Sequence, residues 1–363
     1  SVNGNNQQFN GMGDEGYVSW TFRKAPGFFD MVTYTGNGTA GRTVAHNLGS
    51  VPGFIIVKET NAGSNWVCYH RSLGNGYAIY LNKTQAQDGP NKPSWNQTSP
   101  TSTEFTVGVD GYHTNDNNTN YVAYIFAHDD QSFGTDSDEA IIKCGSYAGS
   151  HNEQEINVGF EPQYVLVKDA YASRDWSVYD YMRGATPGSN NSNRLKPNES
   201  AGEGLSNLSF TSTGFKLADQ SGETNTLGNL YIYMAIRRPN KPPESATDVF
   251  AINTRNANNT ANTKSTAGFA VDAALISRRD AFHYPNIFDR IRGSYRILSI
   301  SEPDSQTTNT TTVSFDNSTG IVLGSDSGNW WVNHSGQMVD YFFKRAPGFF
   351  DVVGYKGTGS ART

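Results

Sequence analysis

Acid–base, nucleophilic or metal chemistry needs His, Cys, Asp or Glu at particular spacings, and this chain offers few such sets. Its seven histidines, His46, His70, His113, His128, His151, His283 and His334, never fall at a metal-binding spacing such as HExxH. No GxSxG elbow, Walker loop or GxGxxG following a strand is present. Two cysteines, Cys68 and Cys144, are too few for a disulfide framework and have no paired metal spacing. Cys68 alternates with Trp66 in a strand-like run and reads as a small buried apolar group. Carboxylates are densest at Asp129-Asp130 and Asp136-Asp138-Glu139. That cluster is oxygen-rich enough for Ca²⁺, but its spacing fits no known calcium loop, and solvated loop is the expectation. A glycosidase pair can lie far apart in sequence, so a polysaccharide-degrading enzyme stays as an alternative. The chain is expected to be non-enzymatic, with no catalytic set, no cofactor and no metal.

Aromatic residues are the other functional material. Trp330 and Trp331 sit in the polar loop SDSGNWWVNHSG and have no counterpart elsewhere in the chain. Unshared loop aromatics are candidates for contact with a partner or glycan, packing against a neighbour being the alternative. Trp66 and Trp176, with Tyr69, Tyr179 and Phe288 three residues on from their blocks' common position, recur and are expected in module cores.

What positions these residues is a repeat. RKAPGFFDMVTYTG at 23–36 returns as KRAPGFFDVVGYKG at 344–357, 321 residues later, or three periods of 107. The strand-like YVSWTFR at 17–23 has relatives YVAYIFA at 121–127, YIYMAIR at 231–237 and MVDYFFK at 338–344. Each alternates apolar positions, the pattern of a half-buried strand. VPGFIIVKETNAGSNWVCYHRSLG at 51–74, EPQYVLVKDAYASRDWSVYDYMRG at 161–184 and AVDAALISRRDAFHYPNIFDRIRG at 270–293 form a second series. EFTVG at 104–108, GFKLA at 214–218 and GIVLG at 320–324 form a third. No segment sustains a 3.6-residue apolar period.

The expected fold is therefore all-β: a tandem array of antiparallel β-sandwich modules, jelly-roll or lectin-like, of about 107 residues each. Residues 1–25 read as the end of a preceding module, 26–136, 137–244 and 245–346 as modules one to three, and 347–363 as the start of another. A chain that starts and stops inside a repeat suggests a window cut from a longer molecule, or half-modules that complement each other between chains. In the APGFFD motif, Pro26-Gly27 and Pro347-Gly348 are expected to turn the chain between modules. Phe28, Phe29, Phe349 and Phe350 would bury the junction. The first module has Tyr69-His70 and Leu73-Gly74 where the others carry Tyr179-Asp180 with Arg183-Gly184 and Phe288-Asp289 with Arg292-Gly293. If an Asp–Arg contact shapes that turn, the first module must shape it otherwise.

Composition narrows the function classes. Lys and Arg number 28 against 34 Asp and Glu, so no basic surplus exists for nucleic acid. No run of 18 apolar residues is present to span a bilayer, and the N-terminus, SVNGNNQQFNGMGDEG, lacks the pattern of a signal peptide.

The blocks APGFFDMVTYTGNG at 25–38, TVAHNLGSVPGFIIVK at 43–58, NWVCYHRSLG at 65–74, PTSTEFTVG at 100–108 and YVAYIFAHD at 121–129 resemble a module repeated in phage virion and tail-fibre proteins. The resemblance is to the type found in marine, cyanobacterium-infecting phages. The second and third modules fit a looser form of the pattern. The resemblance implies a structural or adhesive component of a bacteriophage tail fibre or similar virion appendage, used in host attachment. Its partners would be other virion proteins and copies of itself, since phage fibres are commonly trimers, and host surface glycan. A carbohydrate-binding module array of a secreted microbial protein is a further alternative.

Overall fold

A computed structural model describes residues 17–354, apart from 110, 112–113, 135, 187–191, 219–221, 240 and 327–331. The fold is all-β, with several antiparallel sheets; the helices among the described residues are single 3-10 turns. Strand pairing follows the repeat. In the first repeat, Phe29–Thr35, Asn120–Phe126, Phe54–Glu59, Val67–His70 and Ile79–Tyr80 form one sheet in that order, and Arg42–Ala45 pairs with Glu104–Val107. In the second, Ile142–Ala148, Leu230–Arg237, Pro162–Asp169 and Ser177–Asp180 repeat the order, beside a sheet of Leu208–Phe210, Gly214–Leu217 and Gln154–Asn157. In the third, Phe250–Asn256, Gln337–Phe343, Ala273–Arg278, Asn286–Asp289 and Arg296–Ser299 repeat it again and continue to Thr307–Thr308. Thr263–Thr266, Gly320–Leu323 and Val313–Ser314 make that repeat's smaller sheet.

Alternation decides which side chains share a face. In Pro162–Asp169, Val165 and Val167 point into a core with Tyr179, Phe210, Phe215 and Tyr233. The third repeat has its own equivalent core around Ile276, Phe288, Val313, Ile321 and Phe342. The opposite face of the second repeat's large sheet is not solvated. Leu166, Val178, Ile232, Met234 and Ile236 join one apolar cluster with Phe54, Ile56 and Cys68 of the first repeat. Repeats one and two therefore stack large sheet against large sheet.

Two expectations are corrected here. Residues 17–24 form no strand, because no strand lies beside them to supply the ladder. They pack against the second repeat instead: the Trp20 ring lies edge-on to Tyr164 at 6.1 Å, and its Nε1 donates to Asp180 Oδ2 at 3.1 Å. The APGFFD motif is a tight turn in both copies, with Ala25 bridged to Phe29 and Ala346 to Phe350. Gly27 and Gly348 take φ +71° and +73°, values that favour glycine. Only part of the motif is buried. Gly27 and Phe29 are covered, Phe28 is half-buried and Pro26 is exposed. In the second copy Phe350 is half-buried on Phe343, while Pro347, Gly348 and Phe349 are exposed. The junction between repeats one and two is buried by sheet faces, with the Phe pair at its margin.

Candidate functional site

Three devices engage a set of the buried polar side chains. The first is the turn after the fourth strand of each large sheet. Asp180 accepts from the Arg183 amide at 2.9 Å and from Arg183 Nε at 2.6 Å, while Arg183 Nη2 donates to the Val178 carbonyl at 3.1 Å. Asp289 and Arg292 repeat this at 2.8 and 2.5 Å, with Nη2 to the Ile287 carbonyl at 3.2 Å. The first repeat substitutes His70, whose Nδ1 accepts from the Ser72 amide at 3.2 Å. Its Nε2 is then the donor to the Tyr233 carbonyl, 3.1 Å away in the second repeat. One residue thus closes a turn and ties two repeats together.

The second device is an asparagine just before each closing strand, which the sequence reading missed. Asn115, Asn225 and Asn333 are at most 1% exposed. Their Oδ1 atoms accept from the amides of Asn37, Ser150 and Asn258 at 3.0, 2.9 and 3.3 Å. Their Nδ2 atoms donate to the carbonyls of Thr39, Asn152 and Thr260 at 2.7, 2.7 and 3.0 Å. Each asparagine therefore clamps two loops at one end of its repeat. The signal was in the sequence: an asparagine stands five or six residues ahead of Tyr121, Tyr231 and Met338. In repeats one and two the clamp is backed by stacked rings, Tyr34 on Tyr121 at 5.0 Å and Tyr147 on Tyr231 at 5.1 Å. The third repeat replaces the stack with an ion pair, Arg255 Nε to Asp340 Oδ2 at 2.6 Å.

The third device is the set of junctions. Between repeats one and two, Trp176 is 1% exposed, 6.1 Å from the Phe54 ring, and its Nε1 donates to the Tyr80 carbonyl at 2.8 Å. It is a junction residue and not part of the second repeat's own core. Trp66, at the same repeat position, is half-buried and stacked on Tyr124 at 6.3 Å, so it is not a core residue either. Tyr69, Tyr179 and Phe288 are buried within their repeats. Repeats two and three meet through charge. Arg345 grips Glu161 with two bonds of 2.7 and 3.0 Å, and Asp272 takes the Arg345 amide at 2.7 Å and the Tyr181 hydroxyl at 2.6 Å. Arg290, 2% exposed, lies 5.4 Å from the Tyr181 ring centre and donates to the Val271 and Phe315 carbonyls.

Trp330 and Trp331 lie outside the described residues. The ends of their loop are fixed: buried Asp326 accepts from the Val332 and Asn333 amides at 2.8 and 3.2 Å. Of the carboxylates of 129–139, Asp129 pairs with Lys143 at 3.7 Å, Asp130 accepts from the Ser132 amide at 3.0 Å and Glu139 pairs with Arg237 at 3.0 Å. Among the described residues no three His, Cys, Asp or Glu side chains gather as a metal site, and no helix is long and apolar enough to cross a membrane. Cys68 and Cys144 are fully buried free thiols, their pKa values pushed up by that burial.

The repeat-one/two junction carries a pH dependence. Burial pushes His70 and His128 down to about 4, and His128 Nδ1 accepts from the Cys144 amide at 3.1 Å. An unfolded histidine takes its proton near 6.5, so between 6.5 and 4 the unfolded chain binds more protons. Stability is full above 6.5 and falls as the pH drops toward 4. For His70 the loss reaches about 3 kcal/mol. Melting temperatures between pH 7.5 and 5 should fall less steeply in His70→Asn than in the wild type; an unchanged slope would refute this account of the junction.

Taken together, these observations define an all-β repeat protein whose buried polar groups hold turns, loops and junctions in place. The chain belongs to DUF7483, a family of domains of unknown function, which matches residues 18–239. That match opens at the segment carrying Trp20 and closes at the end of the second repeat, so it takes in the stacked pair and the strip packed against it. No curated protein matches the chain.

Proposed function

We infer that the chain is a non-enzymatic structural and adhesive component of a phage tail fibre or similar virion appendage, built from tandem β-sandwich modules of jelly-roll or lectin-like type. The modules are 26–136, 137–244 and 245–346. The observation that carries this reading is the recurrence of scaffolding chemistry. The turn, the asparagine clamp and the strand order of the large sheet appear in each repeat, while the loops they hold differ in sequence. Buried Asp180, Asp272, Asp289 and Asp340 and partly buried Glu161 are engaged with Arg, Tyr or backbone donors. Such a scaffold spaces and presents loops, of which the Trp330–Trp331 loop is the candidate contact with host glycan. The virion assignment itself rests on the family resemblance of the sequence blocks.

The test is incubation of the purified chain with host capsular polysaccharide, followed by a reducing-end assay and a binding assay on immobilised glycan. The expected result is no rise in reducing ends, and weak binding that Trp330→Ala with Trp331→Ala abolishes. Release of oligosaccharide would replace this reading with an appendage enzyme.

A further inference from the structure

A cleft of about 430 Å³ opens where the second repeat leads into the third, a volume within the range of small-molecule sites. Pro239, Pro242 and Pro243 line it, together with buried Val249 and Phe269 and with Lys344. Most charges around it are spent. Lys241 pairs with Glu244 at 2.5 Å, and Asp248 Oδ2 accepts from the Glu244 and Ser245 amides at 3.1 and 3.0 Å. Arg345 is committed to Glu161 and Asp351. Lys344 is part-exposed, and its ammonium has no partner among the described residues. The other repeats identify the counter-charge. Lys344, at the end of its closing strand, gives its amide to the Val249 carbonyl at 2.8 Å. Arg237 and Ala127 hold the same position and give theirs to the Ile141 and Phe28 carbonyls at 2.8 and 2.9 Å. Two residues before those carbonyls stand Thr247, Glu139 and Pro26. In the second repeat Arg237 and Glu139 meet through two contacts of 3.0 and 3.2 Å. The first repeat has neither charge. The third keeps the cation, but Thr247, which lines the cleft, stands where the carboxylate would be.

We propose that this cleft binds a small organic acid of sugar-ring size, free or as the acidic unit of a polysaccharide, whose carboxylate takes at Lys344 the place that Glu139 takes at Arg237. The prolines and Phe269 offer apolar surface to the body of the ligand, and the charge-assisted bond to the ammonium fixes its orientation. A neutral sugar would leave the ammonium as it stands and gain only the apolar contact. The inference goes beyond the appendage reading and does not depend on it, because the cleft lies apart from the Trp330–Trp331 loop in the sequence and a protein of any location could use it.

Saturation-transfer difference NMR on the full chain detects such contact directly. D-glucuronate and an oligoglucuronate serve as the free and polymeric acids, with D-glucose as the neutral control. The expected result is transfer to the acid and none to glucose; transfer to the oligomer alone assigns the cleft to a polysaccharide. Lys344→Gln should raise the Kd at least about tenfold, the loss of one bond to a charged group. Thr247→Glu should abolish binding by setting a carboxylate beside Lys344, as Glu139 sits beside Arg237, while the melting temperature stays at or above that of the wild type. That variant separates a blocked site from a lost fold. No transfer to either acid overturns the proposal, and so does equal transfer to glucose or acid binding that survives Thr247→Glu.

Discussion

Trp176→Ala is expected to lower unfolding stability by about 3–5 kcal/mol, the range for removing a large buried aromatic. The indole fills the space between two sheets, touching Phe54 and donating to the Tyr80 carbonyl, 96 positions away in the chain. Its loss leaves a cavity and an unpaired carbonyl in the stacked pair. Because each repeat contacts its neighbours, the loss should fall on the transition of repeats one and two. Urea unfolding of 17–239 and of the whole chain, followed by circular dichroism, would show the same shift in both. Trp66→Ala, at the same repeat position but half-buried, should cost clearly less. Equal costs at the two positions would contradict the assignment of Trp176 to the junction.

Arg290→Met should cost a similar amount, about 3–5 kcal/mol, for a different reason. The side chain is nearly fully buried and its guanidinium feeds the Val271 carbonyl twice, at 2.8 and 3.1 Å, and the Phe315 carbonyl at 3.0 Å. Methionine keeps much of the volume but leaves these acceptors unpaired, and leaves Asp272, 3.7 Å from Nε, with less positive charge nearby. Lysine should rescue little, since an ammonium cannot fork between the two carbonyls and also lie flat between the Tyr181 and Phe315 rings. Arg292→Met, in the turn two residues on, should cost less because Arg292 is part-exposed. Thermal melts of the four proteins decide this. Full rescue by Arg290→Lys would show that charge alone, and not the fork, is what the site needs.

Much of the strand plan was legible in the sequence. Alternation in YVAYIFA and its relatives, and the shared VK and WxxY blocks, mark the strands and their repeat. The Asp–Arg turn could be anticipated from DYMRG and FDRIRG, and its replacement by His70 followed from the departure at that position. What alternation cannot tell is what covers a face. Cys68, Leu166 and Met234 read as one side of a strand, and only the fold reveals another sheet on top of them. For the same reason Trp66 and Trp176 look equivalent in sequence and differ in burial, because one faces a partner repeat and the other does not. The segment at 17–23 has strand sequence without a neighbouring strand, so its pattern alone misleads. The asparagine ahead of each closing strand recurs with the repeat, but among so many Asn, Ser and Thr residues its recurrence does not stand out from the surrounding loop sequence. Its role depends on two loops, distant in sequence, meeting at one end of the repeat.

The central proposal, that the chain is part of a virion appendage, is tested most directly by immuno-electron microscopy of particles from a phage that encodes it. Antibody raised against residues 26–346 should decorate the tail fibres or an equivalent projection, with label spaced along it. Unlabelled particles, with the protein recovered free of the virion, would contradict the account.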